Sequence, residues 1–114
     1  MQPESSTLEL KQEITEGLKK EIIEFANTNG GEALIGIYDE TVVGLENADK
    51  DLEIISSILR DSIRPDILVH TSAKKESIED KEIIKIDITR RSRSPYHIAS
   101  KGMKPSGVFI RHVR

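Results

Sequence analysis

Near the end of the chain, Arg90-Arg91-Ser92-Arg93 runs into Pro95-Tyr96-His97 and then Lys101-Gly102-Met103-Lys104, with Arg111 following inside an apolar stretch. Those residue types are suited to one kind of chemistry. A guanidinium forks onto two oxygens of a phosphate, an ammonium meets it as a point charge, and a tyrosine stacks or donates a hydrogen bond. A loop presenting them together can hold a nucleic-acid backbone without reading a base. Arg90, Arg91, Arg93, Tyr96, Lys101, Lys104 and Arg111 are therefore the candidate nucleic-acid contacts. The competing assignment makes Tyr96 and Ile98 a core plug and leaves the arginines as a solvated loop.

Other patterns carry less. Asn27-Thr28-Asn29-Gly30-Gly31 lacks the G-x-x-x-x-G-K-[ST] order of a phosphate cradle, and its glycines close a helix instead of opening one, so capping explains them better. His70, His97 and His112 are too scattered to read as a metal site, and no Ser-His-Asp arrangement is legible. No cofactor is expected from these residues.

The formal net charge is −3, which at first argues against a polyanion partner. The charge is segregated, however. From Lys85 onward the ionised residues are Lys85, Arg90, Arg91, Arg93, Lys101, Lys104, Arg111 and Arg114 against Asp87 alone, so the acids lie almost wholly in the part before Lys85. Such asymmetry favours DNA or RNA as partner of the basic part; pairing of the basic tail with acidic helices of its own domain is the alternative. The absence of cysteine excludes a disulfide framework and fits a reducing compartment, so the cytoplasm is the expected location. No stretch reaches the roughly 18–20 apolar residues that span a bilayer.

The elements that must position these groups follow from periodicity. At 114 residues, a single domain over 1–114 is expected. Residues 7–11 alternate as an edge strand whose Thr7, Glu9 and Lys11 point away from the core. Ile14, Leu18, Ile22, Phe25 and Ala26 recur at helical spacing, predicting an amphipathic helix over 14–26 that ends at the Gly pair. Residues 33–38 read as a buried strand, turned at Asp39-Glu40 into a hairpin with 41–44. A second helix, capped by Asp49 or Asp51, places Leu52, Ile55, Leu59 and Ile63 on one face before Pro65. Strands follow at 67–72 and 82–89, with 74–80 as the loop between them, and a last strand runs over 107–113. The fold class expected is α+β: a mixed, mainly antiparallel sheet in the order β-α-β-β-α-β-β-β, with both helices on one face.

Four ordered pieces carry a family resemblance: E-S-S-T-L-E-L-K at residues 4–11, F-A-N-T-N-G-G at 25–31, L-I-G-I-Y-D at 34–39, and S-P-Y-H-I with K-G-M-K-P-S-G-V-F-I-R at 94–111. Together they resemble the Schlafen-type AlbA domain across nearly the whole chain, although His112-Val113-Arg114 departs from the Val-Gly that usually follows the last strand. The resemblance implies a DNA-binding domain at the front of a larger transcriptional regulator, whose C-terminal domains would be further partners. It also implies a second chemistry, because vertebrate Schlafen nucleases are similar at positions that fall on Glu4, Glu9 and Asp39. Converging carboxylates there, with Lys11 beside them, would hold Mg²⁺ or Mn²⁺ to activate water against a phosphodiester. Three function classes thus stand side by side: a phosphate-gripping module, a metal-dependent nuclease, and a homo-oligomeric assembly module joined through sheet edges.

Overall fold

The computed structural model describes residues 8–61, 63–64, 71–89 and 97–98. Within them the fold is α+β. A four-stranded sheet has the order β1-β2-β7-β6, built from β1 (Leu8–Lys11), β2 (Gly31–Ile35), β6 (Thr71–Ile78) and β7 (Lys81–Ile88). The first pair is parallel and the other two are antiparallel. Between them lie α1 (Gly17–Asn27), the hairpin β3 (Ile37–Tyr38) and β4 (Thr41–Val42), α2 (Ala48–Asp61), and β5 (Ile63–Arg64), which pairs with β8 (His97–Ile98).

The central strand β7 shows how the sequence divides the molecule. Ile84, Ile86 and Ile88 alternate with Lys85 and Asp87, and the apolar set points to the side where both helices pack. There Leu18, Ile22, Phe25 and Ala26 of α1 meet Ile55 and Leu59 of α2 over Ala33, Ile35 and the three isoleucines, all buried. The opposite face is covered at one end by the hairpin, where Ile37 and Val42 close over Leu8, Leu34 and Ile83. Toward the other end it is polar, with Lys85 reaching Glu32 at 3.1 Å and Asp87 at 4.0 Å.

Several elements differ from the sequence expectation for identifiable reasons. α1 begins at Gly17 instead of Ile14; Ile14 still packs on the core, from the segment before the helix. The apolar run 33–38 is not one strand, because Gly36 at φ 113° bends it and sends β3 into a separate two-stranded sheet. α2 is capped by Asn47, whose Oδ1 accepts from the Lys50 amide at 3.1 Å, and Asp49 and Asp51 lie inside the first turn. There the carboxylates favour the positive end of the helix dipole without being the cap. Ile63 belongs to β5 instead of α2. Residues 74–78, polar enough to read as loop, form the second half of β6 and pair with β7 up to Ile78↔Lys81, leaving only Glu79-Asp80 as the turn. A strand at the margin of a sheet needs backbone partners on one side only, and its side chains can remain hydrophilic. The expected strand at 107–113 lies outside the described residues, as do 65–70.

Candidate functional site

Of the expected site residues, Glu9 and Asp39 fall within the described part; Glu4, Arg90, Arg91, Arg93, Tyr96, Lys101, Lys104 and Arg111 lie outside it. The sequence placed Glu9 on a solvated face, and this is corrected: Glu9 is only 2 % exposed. Period-two alternation defines two faces of a strand but not which is wet, and both faces of β1 are covered. Leu8 packs with Leu34 and Ile83 on the hairpin side. Glu9 sits opposite Ala33, and Lys11 opposite Ile35, so both belong to the side where α1 lies.

What β1 assembles there is a charged cluster at the margin of the core. The Lys11 ammonium meets Glu21 Oε1 at 2.7 Å, and both side chains are largely withdrawn from water. Glu21 stands on the inner stripe of α1, three residues from Leu18 and four from Phe25, where an apolar residue would be expected. Its Oε2 is buried and makes no hydrogen bond among the described residues. A half-satisfied buried carboxylate is costly, so the ion pair with Lys11 is what makes this position tolerable. Sequence reasoning passed over Glu21, although a glutamate inside an apolar stripe was a visible signal.

Asp39 occupies a different setting. With Glu40 it forms the two-residue turn between β3 and β4, both residues at positive φ (50° and 64°), and its side chain is exposed. The two-residue loop with left-handed geometry matches the twist of a tight hairpin, although Asn-Gly or Asp-Gly would adopt it with less strain. The hairpin is tied to β1 at its base, where the Gly36 amide donates to the Lys11 carbonyl at 2.7 Å and the Val43 and Gly44 amides donate to the Gly36 carbonyl at 2.9 Å each. One candidate carboxylate is thus buried beside β1 and one is exposed at a turn. Among the described residues no group of three or more His, Cys, Asp or Glu side chains is gathered as a metal site.

Two lysines on the sheet are held above their ordinary pKa. For Lys85 the cause is first the hydrogen bond to Glu32 and then the nearby Asp87 charge; for Lys75 it is the hydrogen bond to Asp49, 2.6 Å away. These lysines are engaged with carboxylates of the same domain and are poor candidates for gripping phosphate. Among the described residues no helix is long and apolar enough to cross a membrane.

Comparison with the curated proteins gives no match. Among solved structures the chain is similar to the DIP2311 protein from Corynebacterium diphtheriae, with a TM-score of 0.62 at 15 % identity, over 83 % of this chain and 20 % of that one. That likeness supports the fold, and the chain spans about a fifth of that protein's length. The family described as Schlafen, AlbA_2 matches residues 4–113, from Glu4 through the β1 cluster, the Gly30-Gly31 helix end and the Asp39 turn to the basic segment. With that match over nearly its whole length, on the fold just described, the chain belongs to the Schlafen, AlbA_2 family.

Proposed function

We propose that the chain is a nucleic-acid-binding domain, with DNA as the first candidate, and that it serves a larger cytoplasmic transcriptional regulator. It would grip phosphates through Arg90, Arg91, Arg93, Lys101, Lys104 and Arg111, with Tyr96 stacking or donating. The observation that carries this reading is the segregation of charge: after Asp87 the chain holds arginines, lysines and histidines and no aspartate or glutamate. The family match, which runs through that segment to residue 113, points the same way at the level of a nucleic-acid-related role. Phosphate contacts of this kind position a protein on a polyanion and leave sequence choice to other groups.

The test is a salt titration of DNA and RNA binding, run on a gel with and without Mn²⁺. Each phosphate contact should add roughly 0.9 to the salt slope for duplex DNA, or 0.7 for single strands. Replacing Arg91 and Arg93 together with Ala should flatten the slope and weaken binding about equally across sequences, while the thermal midpoint hardly moves. Binding that is unchanged in the double variant, or absent at low salt in the parent, would overturn the reading. Cleavage that requires Mn²⁺ and disappears in Glu9→Gln would replace it with the metal-dependent nuclease.

A further inference from the structure

The segment joining β4 to α2, Val43 to Asn47, forms one wall of an open cleft of about 750 Å³ whose other walls come from Gln12, Glu13 and Ile14 and from Asp51 and Ile54 of α2. On the far side of the same segment a second depression of about 390 Å³ runs to Asp80, Lys81 and Glu82. The segment is fixed in place. The Leu45 amide donates to the Glu82 carbonyl at 2.9 Å, and Gly44, at φ 80°, lies so close to Lys81 that a Cβ there would come within 3.0 Å of the lysine side chain.

Two properties of this surface are unusual when taken together. Of the three large apolar side chains standing exposed among the described residues, Tyr38, Val43 and Ile54, the last two line the cleft, each 39 % exposed. Its ionisable residues are all acidic: Glu13, Glu46 and Asp51, with Asp80 and Glu82 continuing the sign next door. The one cation of the pair of depressions, Lys81, points its ammonium at the Val42 carbonyl 3.2 Å away. Exposed aliphatic side chains set among carboxylates complement a chain that carries aliphatic side chains between basic ones. It repels phosphate, so it is not a second nucleic-acid surface.

We propose that this cleft is the docking site for a basic, aliphatic segment of a partner protein, bound in extended form across the Val43–Glu46 wall. The site is independent of the nucleic-acid reading, and either can fail without the other.

The probe is a fluorescein-labelled peptide, Lys-Arg-Leu-Ile-Lys-Arg, titrated with the chain and followed by anisotropy, beside Lys-Arg-Ser-Ser-Lys-Arg and Glu-Glu-Leu-Ile-Glu-Glu. The first should bind saturably, the second about tenfold more weakly, and the acidic one not at all. Glu13→Lys with Glu46→Lys, both in exposed connections, should weaken the first peptide about tenfold or more. Val43→Ser should do so by removing an exposed aliphatic side chain from the wall, with circular dichroism melts showing that each variant stays folded. DNA affinity of these variants, measured in parallel, should not fall. Equal binding of the Leu-Ile and Ser-Ser peptides, binding indifferent to the charge reversal, or no saturable binding would overturn the proposal. Sedimentation of the chain alone is the remaining arm: self-association abolished by the same charge reversal would overturn it in favour of an interface between copies.

Discussion

The two faces of the central sheet are built from the same strands yet solve different problems. On the helix side, Ala33, Ile35, Ile84, Ile86 and Ile88 form a continuous apolar floor beneath α1 and α2. On the other side, Leu8, Leu34 and Ile83 are covered only by the small β3–β4 hairpin, and the face gives way to Glu32, Lys85 and Asp87. Stability therefore resides chiefly on the first face, and the second tolerates charge beyond the hairpin because Glu32, Lys85 and Asp87 keep part of their surface in water. The exception on the first face is its margin at β1, where Glu9, Lys11 and Glu21 sit among groups that are otherwise apolar.

The largest effect should come from the helix side. Leu18→Ala removes a fully buried side chain of α1 and should cost about 2–5 kcal/mol in denaturant unfolding, whereas Ile83→Val, a single methyl on the hairpin side, should cost about 0.5–1.5 kcal/mol. A loss of only about 0.5 kcal/mol at Leu18, the size typical of surface changes, would break the distinction. Next comes the charged margin. Lys11→Met strands the Glu21 carboxylate in the core and should destabilise by about 2–3 kcal/mol, somewhat less than for a fully buried pair because Lys11 retains some exposure. Adding Glu21→Leu to that variant should recover most of the loss. A double variant no more stable than Lys11→Met would show that Glu21 is held by other groups. The smallest effect belongs to the polar face. The Lys85 pKa is raised by Glu32 and Asp87 above its ordinary 10.5. A raised cation stabilises the fold below that value and loses its contribution as pH climbs through the folded-state pKa. Thermal midpoints should accordingly fall as the pH climbs above the ordinary lysine value, and Lys85→Gln should reduce that alkaline drop slightly.

How far the sequence discloses this arrangement depends on what each residue reports. β7 is legible because Ile84, Ile86 and Ile88 alternate with charges across a sheet whose two sides differ. The inner stripes of α1 and α2 are legible for the same reason at helical period. β6 is opaque: Ser72, Lys74, Lys75 and Glu76 satisfy their backbones by pairing with β7, and side-chain polarity does not register that. The split at Gly36 is also hidden, since an apolar run does not reveal that one glycine within it bends the chain. At the candidate site, alternation gives the correct two faces of β1 but leaves one of them to water where both are covered, because nothing in residues 7–11 tells that α1 lies on the side of Glu9. The basic residues were prominent from their types alone, and their arrangement lies outside the described residues.

The strand order β1-β2-β7-β6 also sets the sequence of events by which the sheet can form. The β6–β7 hairpin closes through the two-residue turn Glu79-Asp80, so its loop entropy is small and it is available early. β2 meets β7 only when Gly31 reaches Ile88 across both the β3–β4 hairpin and α2, and β1 joins β2 in parallel only after α1 has folded back. Half of the sheet is thus a local template and half a distant recruit, and the second half should limit the folding rate. Substitutions at Ala73 on β6 should then slow folding in proportion to the stability they remove, whereas those at Ala33 on β2 should mainly speed unfolding, the reverse ranking being the sign that β2 leads.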